Sequence, residues 1–125
     1  MNKIALSEPF IDGNEMDYLR NCINTNWLSG SGKFVNRFEN KIAKFIGAKY
    51  STGFVNGTSA LHIALKIAGC EQNNEVIVPS LTFIATINSI IYNNCSPIFM
   101  DSDKFYNIDS KKTIEFIQNN TFFKS

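Results

Sequence analysis

The sequence predicts an α/β chain, a mainly parallel sheet built from βα units that follow two N-terminal helices. Three observations carry this. Short runs of β-forming residues recur at residues 49–55, at Glu75–Pro79 (EVIVP) and at Ser96–Met100 (SPIFM). One helical pattern separates each run from the next, the order expected of strand, crossover helix and parallel strand. Ahead of them stand two segments with apolar residues at helical spacing and no strand between them.

Taken in order, Ser7-Glu8-Pro9-Phe10 is an extended lead-in, and Asp12 is placed to cap a helix running to about Asn24, with Met16, Leu19 and Ile23 on one face. Residues 25–32 (TNWLSGSG) are loop-forming, with two glycines and two serines around the only Trp. A second helix is expected from about Lys33 to Ile46. Phe34, Phe38, Ile42 and Phe45 mark its buried stripe, and Gly47 stands where a left-handed cap belongs. Residues 49–55 carry the β-formers Tyr50, Thr52, Phe54 and Val55 and lead into a tight turn at Gly57. After it Ala60, Leu61, Ala64, Leu65 and Ala68 fall at helical spacing as far as about Gly69. EVIVP reads as a fully buried strand, Ser80-Leu81-Thr82-Phe83 as the next junction, and Ile84 to Tyr92 as the next helix. SPIFM is a third strand, closed by Asp101-Ser102-Asp103. Asp109 then caps a helix through about Gln118, and a further strand is expected to begin within residues 121–125. Three strands leave a bare sheet edge.

With 125 residues the chain is one domain by length, and 44% hydrophobic with 18% charged residues is a globular, soluble composition. A net charge of +1 without a basic run offers nothing to nucleic acid or to an anionic membrane. Cys22, Cys70 and Cys95 are odd in number and form no CxxC. Together with a single His they give no zinc pattern, and free thiols in a reducing cytoplasm are the simplest reading. Met1-Asn2-Lys3 leads into no long apolar run, so no signal peptide is expected, and no apolar stretch is long enough to span a membrane.

Gly57-Thr58-Ser59 is where chemistry is expected. At the start of a helix the first backbone N–H groups have no intrahelical partner. With the positive end of the helix dipole and two short hydroxyls they make an anion site, most naturally for a phosphate. The competing reading is that Asn56, Thr58 or Ser59 is simply an N-cap. In a parallel sheet, ligands collect at the carboxyl ends of the strands. Ser80-Leu81-Thr82-Phe83 is a second junction at that end, offering hydroxyls and an aromatic ring. Phe83 on its own reads as an ordinary core residue. His62, about one turn into its helix, reads as structural. Asp101 and Asp103 read as capping or turn residues, with metal or substrate contact as the lesser alternative.

NGTSALHIAL, then VPSLTFIATINSI, then PIFMDSD resembles the DegT/StrS family of sugar aminotransferases, which depend on pyridoxal 5′-phosphate (PLP). The blocks stand in the family's order, and the likeness runs from near Ala5 almost to the end of the chain. It implies an incomplete PLP-transferase large domain of the aspartate-aminotransferase-like fold, with residues 1–125 as its N-terminal portion and no second domain. It also implies cofactor-binding roles for Gly57, Thr58 and Ser59 at the phosphate and for Phe83 stacked on the ring. Trp27, Ser29 and Gly30 resemble the family's WLSSG-type loop, which implies contact with substrate.

Transamination with PLP needs a lysine amine on the cofactor's aldehyde carbon and a carboxylate pairing its ring nitrogen. In the family both lie beyond the length of this chain. No lysine here stands in the family's context, so no catalytic residue is assigned within residues 1–125. The resemblance implies conversion of a nucleotide-linked keto sugar to an amino sugar, with glutamate as donor, in a cytoplasmic homodimer when full length. The alternatives are a truncated, inactive remnant or a PLP-dependent sugar dehydratase relative. A plain nucleotide-binding module is disfavoured because GxGxxG is absent.

Overall fold

A computed structural model describes residues 4–120. The chain divides into two compact units, Met1–Gly53 and Phe54–Ser125. The expected start of a further strand, at residues 121–125, lies outside the described residues.

The first unit holds α1 (Glu15–Asn24) and α2 (Lys33–Ile46). Helix α1 starts later than the cap at Asp12 predicts. Asn14 takes the N-cap position without a side-chain bond, and the local carboxylate bond runs instead from the Gly13 N–H to Glu15 Oε2 at 2.8 Å. Helix α2 has the predicted bounds. It ends on Gly47 at φ +70°, with the Ala48 N–H returning to the Ala43 carbonyl at 2.9 Å. A left-handed residue there costs glycine nothing.

The predicted buried stripes are not buried within these units. Met16, Leu19, Ile23 and Phe38 are exposed, Phe45 is 87% exposed, and only Ala43 of α2 is buried. Amphipathic spacing specifies which side of a helix seeks cover, not that the cover lies in the same stretch of chain. Residues 49–55 are a further correction, because they form no strand. A ladder needs a partner, and β propensity alone only favours extended backbone. This segment is tied to α2 instead, through Ser51 Oγ to the Glu39 carbonyl (2.6 Å) and the Gly53 N–H to Glu39 Oε1 (2.8 Å).

The second unit holds α3 (Gly57–Ile67), β1 (Glu75–Pro79), α4 (Ile84–Tyr92), β2 (Ser96–Met100) and α5 (Ser110–Asn120). The sheet of the described residues therefore has two strands rather than three. β1 and β2 run parallel with Glu75 opposite Ser96 and Pro79 opposite Met100, and α4 is the crossover between them. Val78 and Ile90, each 2% exposed, form the core with Cys95, and Leu65, Cys70, Val76 and Ile87 pack around it. Asp109 caps α5 as its position predicts, its Oδ1 accepting the N–H groups of Lys111 (3.0 Å) and Lys112 (3.2 Å). No helix among the described residues is long and apolar enough to cross a membrane.

Candidate functional site

Two helix starts in the second unit carry the residues singled out in the sequence. At α3 the cap is Asn56, in extended conformation, whose Oδ1 accepts the Ser59 N–H at 2.9 Å, while its carbonyl accepts the Ala60 N–H at 3.2 Å. The capping alternative is therefore correct for Asn56, and it leaves the neighbouring groups available. Among the described residues the Gly57 and Thr58 N–H groups have no acceptor, and the hydroxyls of Thr58 and Ser59 have no hydrogen-bond partner. Capping and anion binding thus use different donors of one helix end.

Gly57 sharpens the point. Its φ is not in the left-handed region, and a Cβ built on it meets nothing within 4 Å. Neither backbone strain nor packing requires glycine there. What the missing side chain provides is open space beside two free N–H donors.

At the second junction the Ser80 N–H bonds the Met100 carbonyl at 2.8 Å, extending the ladder one residue past β1. Phe83 then occupies the N-cap of α4, where its side chain can accept nothing, and its ring is 80% exposed. Phe83 is not a core residue of this unit. A ring that neither caps nor packs is held out at the carboxyl end of β1, where the α4 N-terminus begins.

Helices α3 and α4 pack on each other. Asn93 joins them, its Nδ2 donating to the His62 carbonyl at 3.0 Å and to the Ser89 carbonyl at 2.9 Å. His62 also lies edge-on to Tyr92, ring centroids 5.8 Å apart, which gives it the structural role expected of it. Nothing in the sequence marks Asn93 out, because NN after an apolar helix reads as a turn; Asn94, at φ +57°, is that turn. Asp103 is also a turn residue, its Oδ1 accepting the N–H groups of Phe105 (2.8 Å) and Asn107 (3.0 Å). Asp101 pairs with Lys112 at 2.7 Å, and that hydrogen bond and charge hold its carboxyl below the usual carboxylate range.

Trp27, Ser29 and Gly30 lie in the first unit. The Trp27 indole N–H donates to the Ser31 carbonyl, and Ser29 Oγ donates to the same carbonyl at 3.0 Å, so the loop is bonded around one acceptor. Gly32 is a residue the sequence did not single out. A Cβ there would overlap Nε1 and Cδ1 of Trp27, so the indole's place against the loop depends on that glycine.

Residues 9–124 match the family described as DegT/DnrJ/EryC1/StrS aminotransferases. The chain is 42% identical over 111 residues to GDP-perosamine synthase of Caulobacter vibrioides, covering 88% of this chain and 30% of that relative. Among solved structures it resembles an aminotransferase from Psychrobacter cryohalolentis with TM-score 0.71 and 32% identity, over 76% of this chain and 24% of that one. A Streptococcus pneumoniae chain described as a sugar aminotransferase, solved in a PLP form, shares the fold at TM-score 0.78 and 20% identity, over 91% of this chain and 29% of that one. The chain thus spans about 30% of the length of the curated relative. The match covers nearly all of its 125 residues and includes both helix starts, and on that ground the chain belongs to the DegT/DnrJ/EryC1/StrS aminotransferase family.

Proposed function

We propose that residues 1–125 form the N-terminal portion of the cofactor-binding domain of a PLP-dependent aminotransferase that converts a nucleotide-linked keto sugar into an amino sugar. The observation that carries this reading is the α3 start. Two unpartnered N–H groups, two unpartnered hydroxyls and a space kept open at Gly57 suit a phosphate dianion. The exposed Phe83 ring suits the flat face of a pyridine. PLP, when bound, supplies an electrophilic carbon and an electron-accepting ring for moving the amino group.

Within that reading Gly57 and Thr58 donate their N–H groups, and Thr58 and Ser59 their hydroxyls, to hold and orient the phosphate. Phe83 covers one face of the ring and keeps water from it. Trp27, Ser29 and Gly30 contact the substrate, a role supported by the resemblance of their loop. The acceptor is a nucleotide-linked keto sugar, in keeping with the GDP-sugar product in the name of the Caulobacter relative. Glutamate is the amino donor, and the full-length protein is a cytoplasmic homodimer.

The test is a chimera in which this chain replaces the matching segment of the Caulobacter relative, assayed with glutamate against a panel of GDP- and dTDP-linked keto sugars. PLP-dependent formation of an amino sugar is expected. A folded chimera that binds PLP but aminates none of them contradicts the reading.

A further inference from the structure

The second unit carries a pair of thiols that the proposed chemistry does not use. Cys70 stands three residues past the end of α3, and Cys95 just ahead of β2. Main-chain bonds join the two turns: the Asn73 N–H donates to the Asn94 carbonyl at 3.3 Å, and the Ser96 N–H to the Asn74 carbonyl at 2.9 Å. The Cys95 thiol donates to the carbonyl of Glu71, the residue after Cys70, at 3.2 Å. Cys95 is buried, and Cys70 is half-buried and packs against the core cluster of Val78, Ile90 and Cys95. Cys22 is half-buried in the other unit.

We propose that Cys70 and Cys95 are a modification site, an oxidisable dithiol that closes to an intramolecular disulfide by exchange with a small external disulfide. Cys70, the more accessible thiol, gives up its proton and attacks one sulfur of the external disulfide. A mixed disulfide forms on Cys70 and one small thiolate leaves. Cys95 then loses its proton and attacks the Cys70 sulfur, forming the Cys70–Cys95 bond and expelling the second small thiolate. The protein loses two hydrogens and two electrons, and the external disulfide is reduced to two thiols. Burial first, and the neighbouring Cys70 second, hold the Cys95 thiol above its ordinary range. The second step therefore quickens as pH rises. The bond would tie the C-terminal end of α3 to the start of β2, at the opposite end of α3 from Gly57-Thr58-Ser59.

The folded chimera described above, equilibrated in mixtures of reduced and oxidised glutathione, quenched in acid, alkylated and peptide-mapped, tests this. The Cys70–Cys95 cross-link should exceed either pairing with Cys22 by about ten-fold or more, because folding gives the neighbouring thiols a high effective concentration. In concentrated guanidinium chloride that preference should vanish. Cys95→Ser should arrest the reaction at glutathione on Cys70. The same spread of pairings with and without denaturant would overturn the proposal. So would reduced Cys70 and Cys95 under conditions that modify Cys22.

Discussion

At the scale of single residues, the α3 start separates what folds the chain from what would bind a ligand. Asn56 spends its side chain on the Ser59 N–H, so Asn56→Ala should cost about 1 kcal/mol of stability, read from a denaturant titration. Gly57→Ala is the converse case. Its backbone is not left-handed and the space beside it is open, so the fold should lose nothing, while PLP binding should weaken if that space receives the phosphate. Phe83→Ala should likewise leave the melting temperature unchanged, since the ring is 80% exposed. Lost stacking of roughly 0.5–1.5 kcal/mol implies PLP binding weaker by about two- to ten-fold. The Asp101–Lys112 pair makes a pH statement. Asp101 is lowered by Lys112, so its contribution is present above the unfolded carboxylate's range and is lost as pH falls through its folded value. Lys112 is raised by Asp101, so its contribution is full below the unfolded lysine's range and is lost as pH rises through its folded value. The pair therefore acts across neutral pH. Both groups are well exposed, so Lys112→Met should return the Asp101 titration upward, by NMR, with little change in melting temperature.

At the scale of elements, Asn93 is the side chain whose loss should be felt most widely. It is buried and bonds α4 to the middle of α3, and removing it leaves the His62 carbonyl without that donor. Asn93→Ala should destabilise the second unit by roughly 1–3 kcal/mol, measured by hydrogen exchange of the α3 amides. That clasp was not legible in the sequence, because it joins residues far apart in the chain and an Asn after an apolar helix has a sufficient local explanation as a turn. The elements around it were legible. EVIVP and SPIFM pair as strands because each is an apolar run whose partner lies across one crossover helix, and Asp109 and Gly47 act by local geometry alone. Residues 49–55 have the same β-forming composition and yet no ladder, since pairing is a property of two segments and composition reports on one. Phe34, Phe38, Ile42 and Phe45 show the same limit in helices: the apolar face was readable, the location of its cover was not. Of the candidate site, the helix start after Gly57 was readable from the change of period. Which donors Asn56 takes and which it leaves was not.

At the scale of the whole molecule, apolar surface is left uncovered. Val55 and Ile67 flank or end α3 almost fully exposed, and the two-stranded sheet has open edges among the described residues. The isolated 125-residue chain should therefore bind a hydrophobic dye and melt broadly or aggregate; a sharp two-state melt of a monodisperse monomer would contradict this. The chain should also fail to hold PLP on one chosen lysine. After incubation with PLP and borohydride reduction, label should spread over accessible lysines, and a single saturable site would contradict that expectation. The central claim, that Gly57-Thr58-Ser59 receives a phosphate, is tested most directly in the chimera by dissociation constants for PLP and for phosphate-free pyridoxal, with and without Thr58→Val, alongside melting temperature. Removing one hydroxyl donor to a dianion should cost roughly 1.5–3 kcal/mol, about ten- to a hundred-fold in PLP affinity. Pyridoxal binding and the melting temperature should stay as they were. Unchanged PLP affinity, or an equal loss for PLP and pyridoxal accompanied by a lower melting temperature, would contradict the claim.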